Sequence, residues 1–231
     1  MRIMSYNLQS GYRLDRTHDI DGQAAILAAL RPDVCALNEV RMGTKDVDGC
    51  FMADYIAGKI GMNSFFGKAL DINGGMYGNA ILSRYPILTA RCVDVPDTPI
   101  EECERDGREH RCAVECILDT PNGKLRAITC HFGLNHREAE HACETVLSLI
   151  KDGMPTVLMG DFNIQPDDVL VAKLRERLSD TGTELPLTQP SDTPEIKIDY
   201  IFTSKGIQAA PMKTFDTTAS DHLPVYTDIE F

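Results

Sequence analysis

The chain has 231 residues, 43% of them hydrophobic and 25% charged, with a formal net charge of −12. That length suits one folded unit spanning 1–231 with a full core. The acidic balance weighs against holding long DNA or RNA, which proteins grip through a basic face, although bound cations can offset a local field. Eight cysteines stand at 35, 50, 92, 103, 112, 116, 130 and 143. None forms a C-x-x-C pair, so zinc-ribbon and thioredoxin readings lack support, and the thiols are expected to be small buried hydrophobes in a reducing compartment. The segment Met1-Arg2-Ile3-Met4-Ser5-Tyr6-Asn7 runs straight into a strand pattern with no apolar leader, and no apolar run approaches the roughly 18 residues that span a bilayer. The expectation is a cytoplasmic monomer with no membrane span.

Hydrophobic periodicity predicts the elements in chain order. Ile3–Leu8 reads as a strand. Asp19–Leu30 reads as a helix, with Ile20, Ala24, Leu27 and Leu30 on one face and Pro32 just beyond its end. Val34–Leu37 is a short buried strand that ends in Asn38-Glu39, and Phe51–Ile60 is helical. Strands follow at Phe65–Lys68, Asn79–Ser83, Ile87–Val95, Arg111–Leu118 and Lys124–His131. The helix over His136–Ile150 carries Ala139, Ala142, Cys143, Val146, Leu147 and Ile150 at helical spacing. Asn135 and Glu138 are placed as a capping box at its start. Thr156–Gly160 is a strand and Val169–Leu178 a helix, with three closing strands at Lys197–Thr203, Ile207–Thr214 and Leu223–Glu230. Strand, helix, strand and hairpins thus occur twice, which predicts two β-layers face to face with helices outside. Segments 41–50, 71–78, 97–110 and 182–194 are expected to be loops, and loops of that kind set specificity.

Acidic and amide residues recur at the predicted strand ends: Asn7, Glu39, Asp161 with Asn163, Asp199, and Asp221 with His222. Strand ends in packed sheets meet on one rim. If Glu39, Asp161 and Asp221 meet there, they repel. Two unit charges about 4 Å apart cost about 4 kcal/mol at an effective dielectric of about 20. A cation relieves that repulsion, and an all-oxygen donor set points to Mg²⁺ or Mn²⁺ rather than Zn²⁺. Taken singly, each piece has an ordinary reading, since Asp-x-Asn after Gly commonly makes a turn.

The ordered set resembles the endonuclease/exonuclease/phosphatase family. The matching segments are Ser5-Tyr6-Asn7, Leu37-Asn38-Glu39-Val40, Gly78-Asn79-Ala80-Ile81-Leu82-Ser83-Arg84-Tyr85-Pro86, Thr129-Cys130-His131-Phe132, Gly160-Asp161-Phe162-Asn163, Ile198-Asp199-Tyr200-Ile201 and Ser220-Asp221-His222-Leu223-Pro224. Asn38 departs from the usual Gln before the metal-binding Glu, and Cys130 and Phe132 depart within a Thr-His-Leu segment. The resemblance implies an α/β fold, a four-layer sandwich of two mixed β-sheets with helices on the outer faces. It implies Glu39, Asn7 and Asp221 as metal ligands and Asp161 as the residue that orients or deprotonates the attacking water. Asn163 would hold a phosphate oxygen or a metal-bound water, and His222 would contact the phosphoryl group with Asp199 fixing its ring. His131 resembles the branches that carry a His in this segment, unlike the abasic-site repair nucleases, and would assist phosphate binding or leaving-group protonation. Arg84, Asn79 and Arg111 are candidate substrate contacts.

The reading is a hydrolase that cleaves a phosphate ester of a small or headgroup-like substrate, as diesterase or monoesterase. The alternative is a metal-dependent nuclease acting on DNA or RNA, disfavoured by the lack of a basic stripe and of aromatics set out for base stacking. A third reading, a binding domain without catalysis, conflicts with the retention of every catalytic position.

Overall fold

The computed structural model describes residues 1–104, 108–150, 153–183 and 186–231. In chain order the elements are β1 (Arg2–Asn7), α1 (Ile20–Leu30), β2 (Val34–Met42), α2 (Met52–Ile60), β3 (Asn63–Ile72), β4 (Gly75–Ser83), β5 (Ile87–Asp94), β6 (Cys112–Thr120), β7 (Gly123–Cys130), α3 (His136–Ser148), β8 (Thr156–Asp161), α4 (Val169–Arg177), β9 (Leu178–Asp180), β10 (Asp199–Ser204), β11 (Gln208–Ala209), β12 (Lys213–Thr214) and β13 (Val225–Glu230). Among the described residues, one sheet has seven strands in the order β11-β13-β1-β2-β4-β3, with β12 on β13. The other has six, in the order β5-β6-β7-β8-β10-β9. Both are mixed, since β1 and β2 pair in parallel, as do β7 and β8, while the remaining pairs are antiparallel. The chain is therefore an α/β sandwich.

The expected duplication is real. β1-α1-β2 followed by α2, β3 and β4 gives neighbours β1-β2-β4-β3, and β7-α3-β8 followed by α4, β9 and β10 gives β7-β8-β10-β9. Period-2 alternation builds the layers. Met4, Tyr6, Cys35 and Leu37 face α1 and α2 through Leu27 and Ile56. Ile3, Val34, Ala36 and Ile81 face the other sheet, meeting Val114, Ala127, Val157 and Met159. Ile128, Leu158, Tyr200 and Phe202 pack under Ala142, Val146 and Leu174 of the second helix pair.

Several expectations need correction. Segment 71–78 is a hairpin, not a loop: β3 and β4 pair to Ile72↔Gly75 around Asn73 and Gly74, both at positive φ. Asn-Gly is the strongest short hairpin signal because both turn positions need positive φ. The strand expected over Ile207–Thr214 is split into β11 and β12 by Pro211, which has no N–H for a ladder. β9 was not anticipated. Part of the loops expected at 97–110 and 182–194 lies outside the described residues. At α3 the capping box is present, with the Glu138 carboxylate accepting the Asn135 backbone N–H at 3.1 Å. All eight cysteines are free thiols, and five of them are buried. Among the described residues no helix is long and apolar enough to cross a membrane.

The second sheet is pinned near its functional end by a ring stack. Phe162 lies 4.3 Å from Phe132, 5.2 Å from Tyr200 and 6.0 Å from Phe202, centroid to centroid, and all four are fully buried. Phe162→Ala should cost about 3–5 kcal/mol of stability, read as a lower urea midpoint at unchanged slope.

Candidate active site

The topology carries the chemical residues to one rim. Asn7 is the last residue of β1, and Asp161 the last of β8. Asp199 opens β10 and is the register partner of Asp161, so the antiparallel pair sets both at the same end. His131 follows β7. Asp221 and His222 precede β13, which runs antiparallel to β1. Ser220 fastens this last loop by donating its hydroxyl to the Asn7 carbonyl at 2.7 Å.

Local backbone features aim the side chains. Glu39 sits where the β2–β4 register slips between Leu37 and Val40, at a φ of 55°. A bulge there turns its carboxylate out of the ladder and into the pocket. Gly160 has a φ of 145°, and a Cβ there would stand 2.1 Å from the Cys130 carbonyl oxygen. Only glycine lets β8 approach β7 so closely just before Asp161. Asn163 has a φ of 52°, and its N–H donates to Asp161 Oδ1 at 3.0 Å.

The side chains form one connected set around a pocket of about 290 Å³ bordered by Glu39, Asp161, Asp221, His222, His131 and Arg111. Asn7 Nδ2 donates to Asp161 Oδ2 at 2.9 Å and Glu39 Oε1 at 3.2 Å. Asp161 Oδ2 lies 3.6 Å from His222 Nε2, and His222 Nδ1 lies 2.9 Å from Asp199 Oδ2. Burial alone would disfavour an imidazolium at His222, but Asp199 and Asp161 outweigh it and push its pKa up to about 10. Burial pushes Asp161 up to about 7, against the pull of His222. Glu39 is also raised, first by burial and then by Asp221, with the Asn7 hydrogen bond opposing.

His131 has the opposite surroundings. Arg111 Nη1 donates toward Nδ1 at 3.0 Å, and Asn163 Nδ2 lies 3.0 Å from Nε2. Burial, then Arg111 and His222, lower its pKa well below the ordinary value, so the ring is neutral. A neutral imidazole offers one acceptor and one N–H. With the permanent donor Arg111 at Nδ1, the proton belongs on Nε2, which faces the Asn163 amide at 3.0 Å and Asp161 Oδ2 at 3.5 Å. A ligand oxyanion at this point would accept from the Nε2–H and from the Asn163 amide together.

A layer below, two amides join the sheets. Asn38 of β2 accepts the Asp161 backbone N–H at 2.9 Å and donates to Asn79 Oδ1 at 2.7 Å. Asn79 of β4 donates to the Cys112 carbonyl at 2.9 Å. Asn79 therefore supports the floor and is not brought to the pocket. Arg84 is placed elsewhere too. It follows β4 at the end where Ser83 pairs with Val34, and its Nε donates to the Pro32 carbonyl at 2.9 Å. It closes a turn at the far end of the sheet. Arg111 does reach the pocket. Arg41, Tyr77, Ser10 and Glu109 border it as well and went unrecognised in the sequence. A larger hollow of about 550 Å³ lies between Phe51 and the β3–β4 hairpin, but among the described residues Asp71 is the only charged one lining it, so it lacks the groups for this chemistry.

The family model described as "Endonuclease/Exonuclease/phosphatase family" matches residues 4–222. The chain belongs to the endonuclease/exonuclease/phosphatase family. It is 26% identical to the protein YbhP of Escherichia coli K12 over an alignment of 252 positions that covers 99% of this chain and 95% of the relative. Among solved structures, an endonuclease/exonuclease/phosphatase from Beutenbergia cavernae superposes with a TM-score of 0.82 at 23% identity, over 99% of this chain and 71% of the other. The mannosyl-6-phosphatase Bt3783 of Bacteroides thetaiotaomicron gives 0.79 at 16% identity over the whole of both chains. The human Nocturnin catalytic domain gives 0.76 at 16% identity, over 100% of this chain and 94% of that one. These likenesses establish the fold of an endonuclease/exonuclease/phosphatase protein, and membership of the family makes a hydrolase of phosphate esters or nucleic acids the expected class.

Proposed function

We propose that the chain is a Mg²⁺- or Mn²⁺-dependent phosphoesterase that cleaves a phosphate ester of a small or headgroup-like substrate by in-line attack of water. One observation carries this reading: Glu39, Asp161 and Asp221 share a small pocket with a His222–Asp199 pair. Carboxylates whose pKa values rise chiefly through burial gain from a divalent cation beside them, and their hard oxygen donors suit Mg²⁺ or Mn²⁺. Asp161, Asp199 and His222 also offer ligand atoms within 4.8 Å of one another. His222 Nδ1 is already engaged by Asp199, so we assign that trio to proton handling and give the cation to Glu39, Asn7 and Asp221. When bound, the ion would draw charge from the phosphoryl oxygens and lower the pKa of water.

The protein's own groups do the rest. Asp161 takes a proton from the attacking water as the new phosphorus–oxygen bond forms. His222, kept cationic by Asp199, stabilises negative charge on the phosphoryl oxygens. The His131 Nε2–H and the Asn163 amide donate to an oxygen of the substrate. The ester phosphorus–oxygen bond breaks, and the leaving oxygen takes up a proton from solvent or from the donors around it.

The test is initial-rate hydrolysis of p-nitrophenyl phosphate and bis-p-nitrophenyl phosphate with Mg²⁺, with Mn²⁺ and with EDTA, beside plasmid DNA and RNA. The expected outcome is metal-dependent release from one of the small esters, with nucleic acid the poorer substrate. Nicking of DNA in preference to both esters would favour a nuclease. Binding should also show in stability. At about 100 times its Kd, a divalent cation should add about 2.7 kcal/mol, which raises the melting temperature by about 5–10 °C for a protein of this size. Glu39→Gln should remove that rise in differential scanning fluorimetry.

A further inference from the structure

We propose that the part of the pocket beside Tyr77 holds a second anion site, built around Arg41 with Arg111 at the other end of the Tyr77 ring. The substrate would then be a compact phosphate ester that carries a second phosphoryl group. This rests on the phosphoesterase reading and takes it further by naming the substrate class.

Arg111 is 7% exposed, and its Nε has no acceptor. Its Nη1 is shared between His131 Nδ1 at 3.0 Å and Glu109 Oε2 at 3.1 Å. The Glu109 side chain is 48% exposed. A solvent-facing carboxylate resting on a fixed guanidinium marks a place that accepts an oxyanion and can yield it to a ligand. Arg41 stands directly across the β2–β4 ladder from Tyr77, with its guanidinium 5.0 Å from the ring centroid. Its Nε donates to Ser10 Oγ at 3.0 Å, Asp46 lies only at 3.6 Å, and its Nη1 is buried with no acceptor.

Each guanidinium thus holds a buried N–H without a partner, and both border the catalytic pocket. Tyr77 separates them. Its hydroxyl lies 3.5 Å from His131, on the side where the scissile group would sit, while Arg41 covers the ring face. Arg111 stands beside His131 at the hydroxyl end of Tyr77, and Arg41 stands over the ring face. A substrate with one phosphoryl group on His131 and Asn163 and a second beside Arg41 would place the two on opposite sides of Tyr77, in a pocket that Leu70 and Ile72 also line. The net charge of −12 repels long polyanions while these two cations retain a compact one.

The experiment uses the Mn²⁺-loaded enzyme turning over p-nitrophenyl phosphate, with fructose 6-phosphate and fructose 1,6-bisphosphate as competitors. The bisphosphate should inhibit at about tenfold lower concentration than the monophosphate, a difference worth one well-placed charge contact. In Arg41→Gln the ratio should fall to about twofold or less, and Arg41→Lys should keep most of it. Equal inhibition in the wild type, or a ratio that survives Arg41→Gln, would overturn the second anion site. Absence of metal-dependent turnover would instead strike the phosphoesterase reading. Calorimetric titration of the two sugar phosphates into the Mn²⁺-loaded protein would then give the same ratio as a ratio of dissociation constants. A preference for the bisphosphate that Arg41→Gln removes would support the second site, and equal affinities or a preference that survives Arg41→Gln would overturn it.

Discussion

Asp161→Asn is expected to lower kcat by about 10²–10⁴-fold, the usual contribution of a positioned general base. Asparagine keeps the volume and the oxygen that accepts the Asn163 N–H at 3.0 Å, so the fold should survive. What it loses is the ability to take a proton. Burial pushes the Asp161 carboxyl up to about 7, which sets it close to the pH at which a base is most useful. The sign follows directly. Activity should rise with pH as Asp161 deprotonates, with the acid limb at or below 7, because a cation beside Glu39 would favour the carboxylate. Initial rates across pH 5–9, within the range where such groups titrate, should show this limb in the wild type and not in the residual activity of Asp161→Asn. An unchanged rate in the variant would remove Asp161 from the chemistry.

The second large effect belongs to His222. Loss of one positioned donor at a developing charge costs about 10²–10³-fold in kcat, and His222→Ala should fall in that range. Asp199 and Asp161 hold the imidazolium to about 10, so activity should be flat above the acid limb and decline only as pH passes that value. Asp199→Asn removes the 2.9 Å partner of Nδ1 and should bring the alkaline limb down toward neutrality. Stability carries the same signature. A histidine whose pKa is raised in the folded state stabilises fully below its unfolded value of about 6.5 and loses that contribution as pH climbs through the folded value near 10. Thermal melting across pH 6–10, the window those two values bound, should therefore fall more for the wild type than for Asp199→Asn. A limb unmoved by Asp199→Asn would mean that the pair does not govern the cation.

Most of this frame was legible in the residues, for identifiable reasons. Strands buried on both faces read as short apolar runs, so their ends, and the Asn7, Glu39, Asp161 and Asp221 that mark them, could be located without a structure. Helices α1 and α3 announced themselves through spacing and caps. Register was not legible. The pairing of Arg41 with Tyr77 depends on the bulge at Glu39, which no periodicity reveals, so two pocket residues went unseen. Asn38 looked like a small departure from a motif, yet its amide holds the Asp161 backbone from the opposite sheet. Arg84 lay inside a matching segment and was assigned to substrate. A strand carries residues to both of its ends, and Arg84 sits at the wrong one. The second anion site had no motif at all, because it arises from side chains on β2, β4 and the segment before β6 that meet only after the sheets pack.

The measurement that tests the central claim most directly is turnover of a phosphate monoester in ¹⁸O-labelled water, with Mn²⁺ and with EDTA, by the wild type and by Glu39→Gln. Water attack on phosphorus at this pocket predicts one labelled oxygen in the released phosphate, none in the alcohol, and no turnover in EDTA or in Glu39→Gln. Label in the alcohol, or hydrolysis that persists in both EDTA and Glu39→Gln, would contradict it.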